Sequence, residues 1–294
     1  MSNLALKRMK EKKQAIHEFH IEKRRVNSIR NVNKIEDGDI ENLVFTSNDY
    51  MHLVRIYAHL YNEFWDSERK VKVLGYDEPN FELPNNFEFV SLGKQTGGPQ
   101  NWSNPLREYI QSLTCKYIVW STEDLFIIEN VHLDMYAHLV TMIKGDDSIG
   151  RIGLTKDIEI TEKYDIVQKL ERYDIIMKGQ DEPFRIGGIW SLWNKDYLLK
   201  YLKPDMTPWS FENQEEAIND GYKILGTRRN YVLSFCGSIN SGPKKSDKDR
   251  LDFLKQPLDF DSFNESGKRL GKRYTLKLKE LGFMDENSVA IRPR

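Results

Sequence analysis

The chain is poor in cysteine and nearly neutral, and both properties narrow what it can be. Its 294 residues include two cysteines, Cys115 and Cys236, too few for a disulfide framework or a cysteine-based zinc site. The formal net charge of -1 excludes binding of nucleic acid through the overall field of the molecule. No apolar run is long enough to span a membrane, and the N-terminus lacks the apolar core of a signal peptide. These absences predict a soluble protein of a reducing compartment.

Several motifs of nucleotide and hydrolytic chemistry are also missing. There is no Gly-x-x-x-x-Gly-Lys-Ser/Thr phosphate loop, and no Gly-x-Gly-x-x-Gly follows the first predicted strand. No Gly-x-Ser-x-Gly nucleophile turn occurs. The six histidines all lie in the first half of the chain without His-Glu-x-x-His spacing, so we interpret them as structural.

The chain instead alternates short apolar runs with stretches of helical periodicity. We predict strands at 43–45, 71–74, 117–120, 149–154, 184–190, 223–225 and 231–235. We predict helices at 50–65, 105–113, 132–143, 191–202 and 213–220, and a helical or mixed segment at 159–178. This order predicts an α/β fold with a mainly parallel central sheet and helices on both faces.

Basic residues are concentrated at the two ends of the chain. Residues 1–30 hold nine Lys or Arg against three Glu, and a second cluster lies between Lys268 and Lys279. We therefore divide the chain into a basic N-terminal helical arm (1–38), a catalytic domain (39–236), and a loop with a basic C-terminal helical segment (237–294). Such helices bind phosphates of nucleic acid or of a membrane surface, or are simply solvated, and the sequence leaves these possibilities open.

Two adjacent acids follow the most apolar strand of the first half. Tyr117 to Trp120 runs directly into Glu123 and Asp124. Strands of α/β sheets deliver ligand-binding groups at their carboxyl ends, and acids there can hold a divalent cation that in turn holds a diphosphate. A solvated acidic turn fits this segment equally well.

Four features, taken in chain order, resemble one known superfamily. They are Thr46-Ser-Asn-Asp-Tyr50 after the first strand, Ser121-Thr-Glu-Asp124, the pair Gly187-Gly188, and Trp209-Ser-Phe-Glu212. Over roughly residues 41–235 this order resembles glycosyltransferases of the GT-A fold, which use a nucleotide-sugar donor. The chain departs from the superfamily in having Glu123-Asp124 in place of a full Asp-x-Asp motif, and in having no histidine after His138.

The resemblance implies a role for each motif. The acidic motif of the superfamily binds a metal–diphosphate, and a later Trp-containing segment ends in the base that activates the acceptor. Carried onto this chain, the roles are metal ligand for Asp124, donor binding for Thr46, Ser47, Asp49 and Glu123, acceptor binding for Gly187, Gly188 and Trp209, and catalytic base for Glu212. Two alternatives remain for the late segment, namely Trp209 as a core residue and Glu212 as an acid at a helix N-terminus.

The implied activity is transfer of a hexose or pentose from a nucleotide sugar, UDP-linked in our prediction, to an acceptor hydroxyl with Mn²⁺ or Mg²⁺. The acceptor is either a glycan or a hydroxylated base in bacteriophage DNA. The second choice would make the protein a DNA-modification enzyme, in the cytoplasm of a bacterium or an infected host cell. Two other hypotheses are a non-catalytic module that binds nucleotides or glycans, and a nucleotidyltransferase. The latter class carries a Gly-rich basic signature that residues 43–49 lack.

Overall fold

The computed structural model describes residues 31–32, 34–36, 38–96, 98–237, 275–286 and 291. The predicted N-terminal arm therefore lies almost entirely outside the described residues, as do the loop after 237 and the basic residues 268–273. The division into three segments stays a prediction. Within the described part, none of the helices combines the length and the apolar character that crossing a bilayer requires.

A nine-stranded sheet forms the centre of the molecule, in the order β3-β2-β1-β4-β9-β6-β10-β8-β7. Its strands are β1 (Ile40–Phe45), β2 (Val71–Gly75), β3 (Phe87–Ser91), β4 (Tyr117–Thr122), β6 (Ile149–Gly153), β7 (Tyr164–Lys169), β8 (Asp174–Lys178), β9 (Ser191–Asn194) and β10 (Lys223–Arg228). A separate two-stranded sheet pairs β5 (Leu125–Ile127) with β11 (Phe235–Gly237). Only β8 and β9 oppose the direction of the other strands in the large sheet, so the predicted mainly parallel sheet is confirmed.

Helices cover both faces of this sheet and bury two apolar cores. The helices are α1 (Val54–Phe64), α2 (Ser103–Ser112), α3 (Leu133–Gly145), α4 (Lys195–Tyr201) and the short α5 (Pro208–Glu212). Side chains of α1 and α3 pack into the first core, and those of α2 and α4 into the second. The central strands β1, β4, β9 and β6 are buried along nearly their whole length because helices cover both faces of the sheet.

The carboxyl ends of β1, β2 and β4 meet at one edge of the sheet because these strands are parallel neighbours. In the register of β1 and β4, Phe45 lies beside Thr122, and in that of β1 and β2 it lies beside Leu74. The predicted motifs after the first strand and after the Tyr117 strand are thus brought to the same place. Parallel sheets commonly bind ligands at this edge.

Most of the predicted helices and strands that differ from the structure lie in the second half of the chain. Residues 159–178 form the hairpin β7–β8 rather than a helical or mixed segment. Its turn, Leu-Glu-Arg-Tyr at 170–173, has no Gly, Pro or Asn to mark it. The edge strand β7 is almost wholly exposed, so its sequence carries no alternating apolar pattern.

Two further predicted elements are wrong in type. Residues 184–190 form no strand but a series of bends, since Arg185 anchors this segment by donating to the carbonyl oxygen of Gly179 over 2.8 Å. Residues 191–202 begin with β9, which is inserted antiparallel between β4 and β6 before α4 starts. Asn194 caps α4 by accepting a hydrogen bond from the backbone N–H of Asp196 at 3.0 Å.

Smaller differences concern strands without a long apolar run. β3 and β5 were not predicted, the first because it lies among Pro and Asn residues and the second because it has only three residues. The predicted strand 231–235 is reduced to Phe235 at the start of β11. The predicted helix 213–220 is a single 3-10 turn at Glu215–Ala217.

Candidate active site

The first predicted donor-binding residues follow β1 directly. Thr46 is fully buried, and its hydroxyl donates to the carbonyl oxygen of Ser47 over 3.2 Å. The hydroxyl of Ser47 is buried and has no hydrogen-bond partner among the described residues. A buried hydroxyl without a partner is uncommon in a folded protein, so Ser47 offers a donor and an acceptor to a ligand at this edge.

A reciprocal pair of hydrogen bonds joins the ends of β1 and β2. Asn48 donates from its side chain to Asp77 Oδ2 at 2.6 Å, and the backbone N–H of Asp77 donates to Asn48 Oδ1 at 3.0 Å. The backbone N–H of Asn48 donates to Gln95 Oε1 at 3.0 Å. The sequence analysis did not select Asp77 or Gln95. An acid shortly after a second parallel strand is the same pattern that selected Asp124, and it could have found Asp77.

The two acids of the β4 motif lie just beyond the strand and differ in exposure. Glu123 is 7% exposed, and its backbone N–H donates to the carbonyl oxygen of Phe45 at 3.3 Å. Asp124 is less buried, and it accepts a hydrogen bond from the hydroxyl of Thr122 at 2.6 Å. Asp124 is thus the acid open to a ligand.

Burial disfavours the ionised form of both Glu123 and Asp124. Burial raises the pKa of Glu123 well above its usual range, and the charge of Asp124 raises it further. Burial also raises the pKa of Asp124, while the hydrogen bond from Thr122 acts in the opposite direction. A divalent cation would favour the ionised form of both groups.

The two acids could bind a cation that a substrate also coordinates. The described residues contain no group of three or more His, Cys, Asp or Glu side chains arranged to hold a metal by themselves. Mg²⁺ usually binds one or two carboxylates together with substrate phosphates rather than a complete protein cage. Asp124, with Glu123 beside it, is consistent with that mode.

Two consecutive hydrogen bonds connect β4 to Glu212. The indole N–H of Trp120 donates to the carbonyl oxygen of Gly188 at 3.1 Å, and the backbone N–H of Gly188 donates to Glu212 Oε1 at 2.8 Å. A Cβ on Gly188 would lie 2.9 Å from the same oxygen, so a larger residue here would displace the Glu212 carboxylate from its present position. The predicted glycine pair and the predicted base are therefore in direct contact.

The late segment is arranged differently from both alternatives that the sequence left open. Glu212 is the last residue of α5, whose N-terminus is capped by Thr207 and Ser210, so the interpretation of Glu212 as an N-terminal helix acid is wrong. Trp209 is 46% exposed, so it is not a core tryptophan. Its predicted role in acceptor binding stays a prediction, and the side chain is not part of the cavity described next.

A cavity of about 530 Å³ opens beside Glu212. Its wall includes Arg151, Lys178, Gly187 and Glu212, together with Glu182, Pro183, Phe184 and Ile186. Arg151 is buried, donates to Ser191 Oγ at 2.9 Å and forms an ion pair with Asp157. A Cβ on Gly187 would lie 2.9 Å from Nη2 of Arg151, so a glycine at position 187 leaves room for this guanidinium group. Arg151 and Lys178 were not identified from the sequence because they are isolated basic residues in strands.

Two of the solved structures that this chain resembles are of one protein. No protein-family model and no curated protein matches the sequence. Residues 1–349 of S. aureus TarS match with a TM-score of 0.43 and 11% identity, over 74% of this chain and 63% of that one. The same part of TarS in complex with UDP-GlcNAc matches with a TM-score of 0.44 and 13% identity, over 74% and 64% of the two chains.

TarS is a GT-A-type glycosyltransferase. The chain spans just under two thirds of the TarS chains that it matches. A likeness as distant as this one defines no activity, so the activity has to be inferred from the side chains of the site.

Proposed function

We propose that the protein is a glycosyltransferase that moves a sugar from a nucleotide-sugar donor, UDP-linked, to an acceptor hydroxyl. The observation that carries the proposal is the hydrogen-bonded connection from Trp120 through Gly188 to Glu212. It fixes an acid in a cavity wall relative to β4, the strand that delivers Asp124. A diphosphate-binding acid and a base for an acceptor are the two groups that this reaction requires.

The donor would lie across the carboxyl ends of β1, β2 and β4. The buried hydroxyl of Ser47 and the exposed polar pair Asn48 and Asp77 are suited to hydrogen bonding with a nucleoside. Thr46 and Asp49, in the same loop, would also contribute to donor binding. The diphosphate would extend toward Asp124, because that acid follows the neighbouring strand.

Asp124 would hold Mn²⁺ or Mg²⁺, with Glu123 as a supporting acid. The cation would neutralise the charge that develops on the departing diphosphate. Raised pKa values of the two acids support this assignment, since the cation offsets the unfavourable burial of their charges.

Glu212 would act as the base. Its Oε1 is occupied by the N–H of Gly188, which leaves Oε2 to take the proton from the acceptor hydroxyl. The acceptor oxygen forms a bond to the anomeric carbon as the bond to the donor phosphate breaks, and the electron pair leaves with the diphosphate. General bases contribute about 10²–10⁴-fold to such a step.

A donor screen tests the proposal. The full chain is incubated with a panel of nucleotide sugars and Mn²⁺, and release of free nucleotide is measured. We expect release from one or more UDP-sugars and none after chelation of the metal. If the folded protein releases nucleotide from no donor on the panel, with or without metal, the proposal is wrong.

A further inference from the structure

The cavity beside Glu212 has an apolar mouth. Phe184 is 60% exposed and Ile160 is 61% exposed, and both belong to the cavity wall. Single exposed apolar side chains are common on protein surfaces, but two that share the rim of a pocket indicate a ligand site. The ring of Phe184 is therefore accessible to a ligand at the rim of the cavity.

The backbone that presents this ring is strained. Phe184 has a φ of 53°, a left-handed conformation that is an outlier for a bulky residue. The ammonium group of Lys178, itself 3% exposed, donates to the carbonyl oxygen of Phe184 at 3.0 Å. Strain of this kind persists where the surroundings enforce it and is found most often at ligand sites. Lys178 thus fixes the segment that carries the exposed ring.

The charges of the cavity wall disfavour an anionic ligand. The wall contains two cations, Arg151 and Lys178, against four acids, Asp157, Glu162, Glu182 and Glu212. Arg151 is already paired with Asp157, and Lys178 is turned to a backbone oxygen. The remaining carboxylates can accept hydrogen bonds from hydroxyl groups, but they repel phosphate, sulfate and carboxylate groups.

We propose that this cavity binds a neutral carbohydrate acceptor, with the ring of Phe184 stacked on the apolar face of a sugar and Lys178 as the positioning residue that holds that ring in place. The proposal rests on the proposed function, because Glu212 is the base that would act on the bound hydroxyl. It favours a glycan over DNA as the acceptor. It also assigns roles in acceptor binding to Phe184 and Lys178, which no sequence motif indicated.

The decisive variant is Phe184→Gly. Glycine adopts positive φ without strain, so this variant removes the ring and is not expected to destabilise the fold. Asn219→Gly is the matched control, since Asn219 has a φ of 57° and lies outside the cavity wall. Binding of a panel of neutral methyl glycosides and disaccharides is measured by saturation-transfer NMR, which requires no turnover.

We expect the wild type and Asn219→Gly to bind one or more neutral sugars equally. We expect Phe184→Gly to bind about tenfold more weakly, the value of one aromatic contact. Lys178→Met should raise the acceptor KM in the same way with little change in kcat, and Lys178→Arg should restore it in part.

Three results would overturn the inference. They are absence of binding to every neutral sugar, equal binding by the wild type and Phe184→Gly, and preferential binding of sulfated sugars or of an oligonucleotide containing 5-hydroxymethylcytosine. Nucleotide release in the donor screen without any sugar binding would refute the acceptor site alone. Sugar binding without nucleotide release would refute the transferase and leave the binding site.

Discussion

At the scale of single residues, the site depends on acids held where their charges are unfavourable. Glu123 and Asp124 have raised pKa values because they are buried and adjacent. Such an arrangement reduces stability in the absence of a cation and favours its binding. Residues placed at the expense of stability are typical of sites that act on a ligand.

Asp124→Asn should remove nearly all metal-dependent nucleotide release without lowering the melting temperature at neutral pH. The amide keeps the size of the side chain and can still accept from Thr122, while the buried charge is gone. Activity assays and thermal melts on the same preparation provide the test. Near-normal donor hydrolysis by the folded variant would contradict the assignment of Asp124 to the metal.

The same acids predict how stability depends on pH. Between the ordinary pKa of a carboxyl group and the raised value in the folded state, the folded chain binds more protons than the unfolded chain. The free energy of unfolding should therefore fall as the pH rises above the ordinary pKa of a carboxyl group in metal-free buffer. Urea melts of the wild type and of Glu123→Gln/Asp124→Asn measure this, and an equal slope in both would show that these acids are not responsible.

Glu212→Gln should lower sugar transfer by about 100-fold, within the range of general base catalysis, while donor affinity is unchanged. The amide can still accept from Gly188 through its oxygen, so the variant should keep the fold. Transfer rates and donor binding are measured separately. A variant that transfers at the wild-type rate would eliminate Glu212 as the base.

At the scale of elements, close packing of the second core fixes the strands behind the cavity. Gly150 of β6 faces Tyr197 of α4, and a Cβ at this position would lie 2.5 Å from the Tyr197 ring. Both elements adjoin β9, the antiparallel strand inserted beside β4. Their packing determines where the segment after β8 can lie.

Gly150→Ala should reduce stability by about 1–3 kcal/mol, the usual effect of overpacking a core. Because the three atoms nearest to a Cβ at Gly150 all belong to Tyr197, which is not part of the cavity wall, kcat per folded molecule should stay the same. Chemical denaturation gives the stability, and activity corrected for folded fraction gives the rate. Full stability of the variant would mean that Tyr197 can move away without loss of packing.

At the scale of the whole molecule, the described C-terminal residues pack on α1. Leu278 is fully buried, and Lys277 donates to Glu63 at 2.6 Å, so one residue of the predicted basic cluster has a structural partner. Residues 1–30 and 268–273 lie outside the described part, and nucleic-acid binding by them stays a prediction. The acidic wall of the cavity argues against DNA as the acceptor.

A titration with salt separates the two acceptors at this scale. If the protein glycosylates a glycan, duplex DNA should bind weakly at physiological salt, and replacing Lys272 and Arg273 with Gln should leave sugar transfer unchanged. A DNA-modifying enzyme would instead lose affinity steeply with salt, with a slope that flattens by up to about two units in the double variant. Gel shifts at two salt concentrations distinguish these outcomes.

The sequence by itself determined the fold class and indicated the edge of the sheet where we propose the site. Short apolar runs in β1, β2 and β4 are local patterns, and the acids after β4 follow one of them directly. Only the tertiary structure decided the rest. The insertion of β9, the contact of Gly188 with Glu212 and the exposure of Phe184 depend on residues far apart in the chain. The hydrophobic periodicity of a segment depends on its own residues and does not indicate which distant strand will lie beside it.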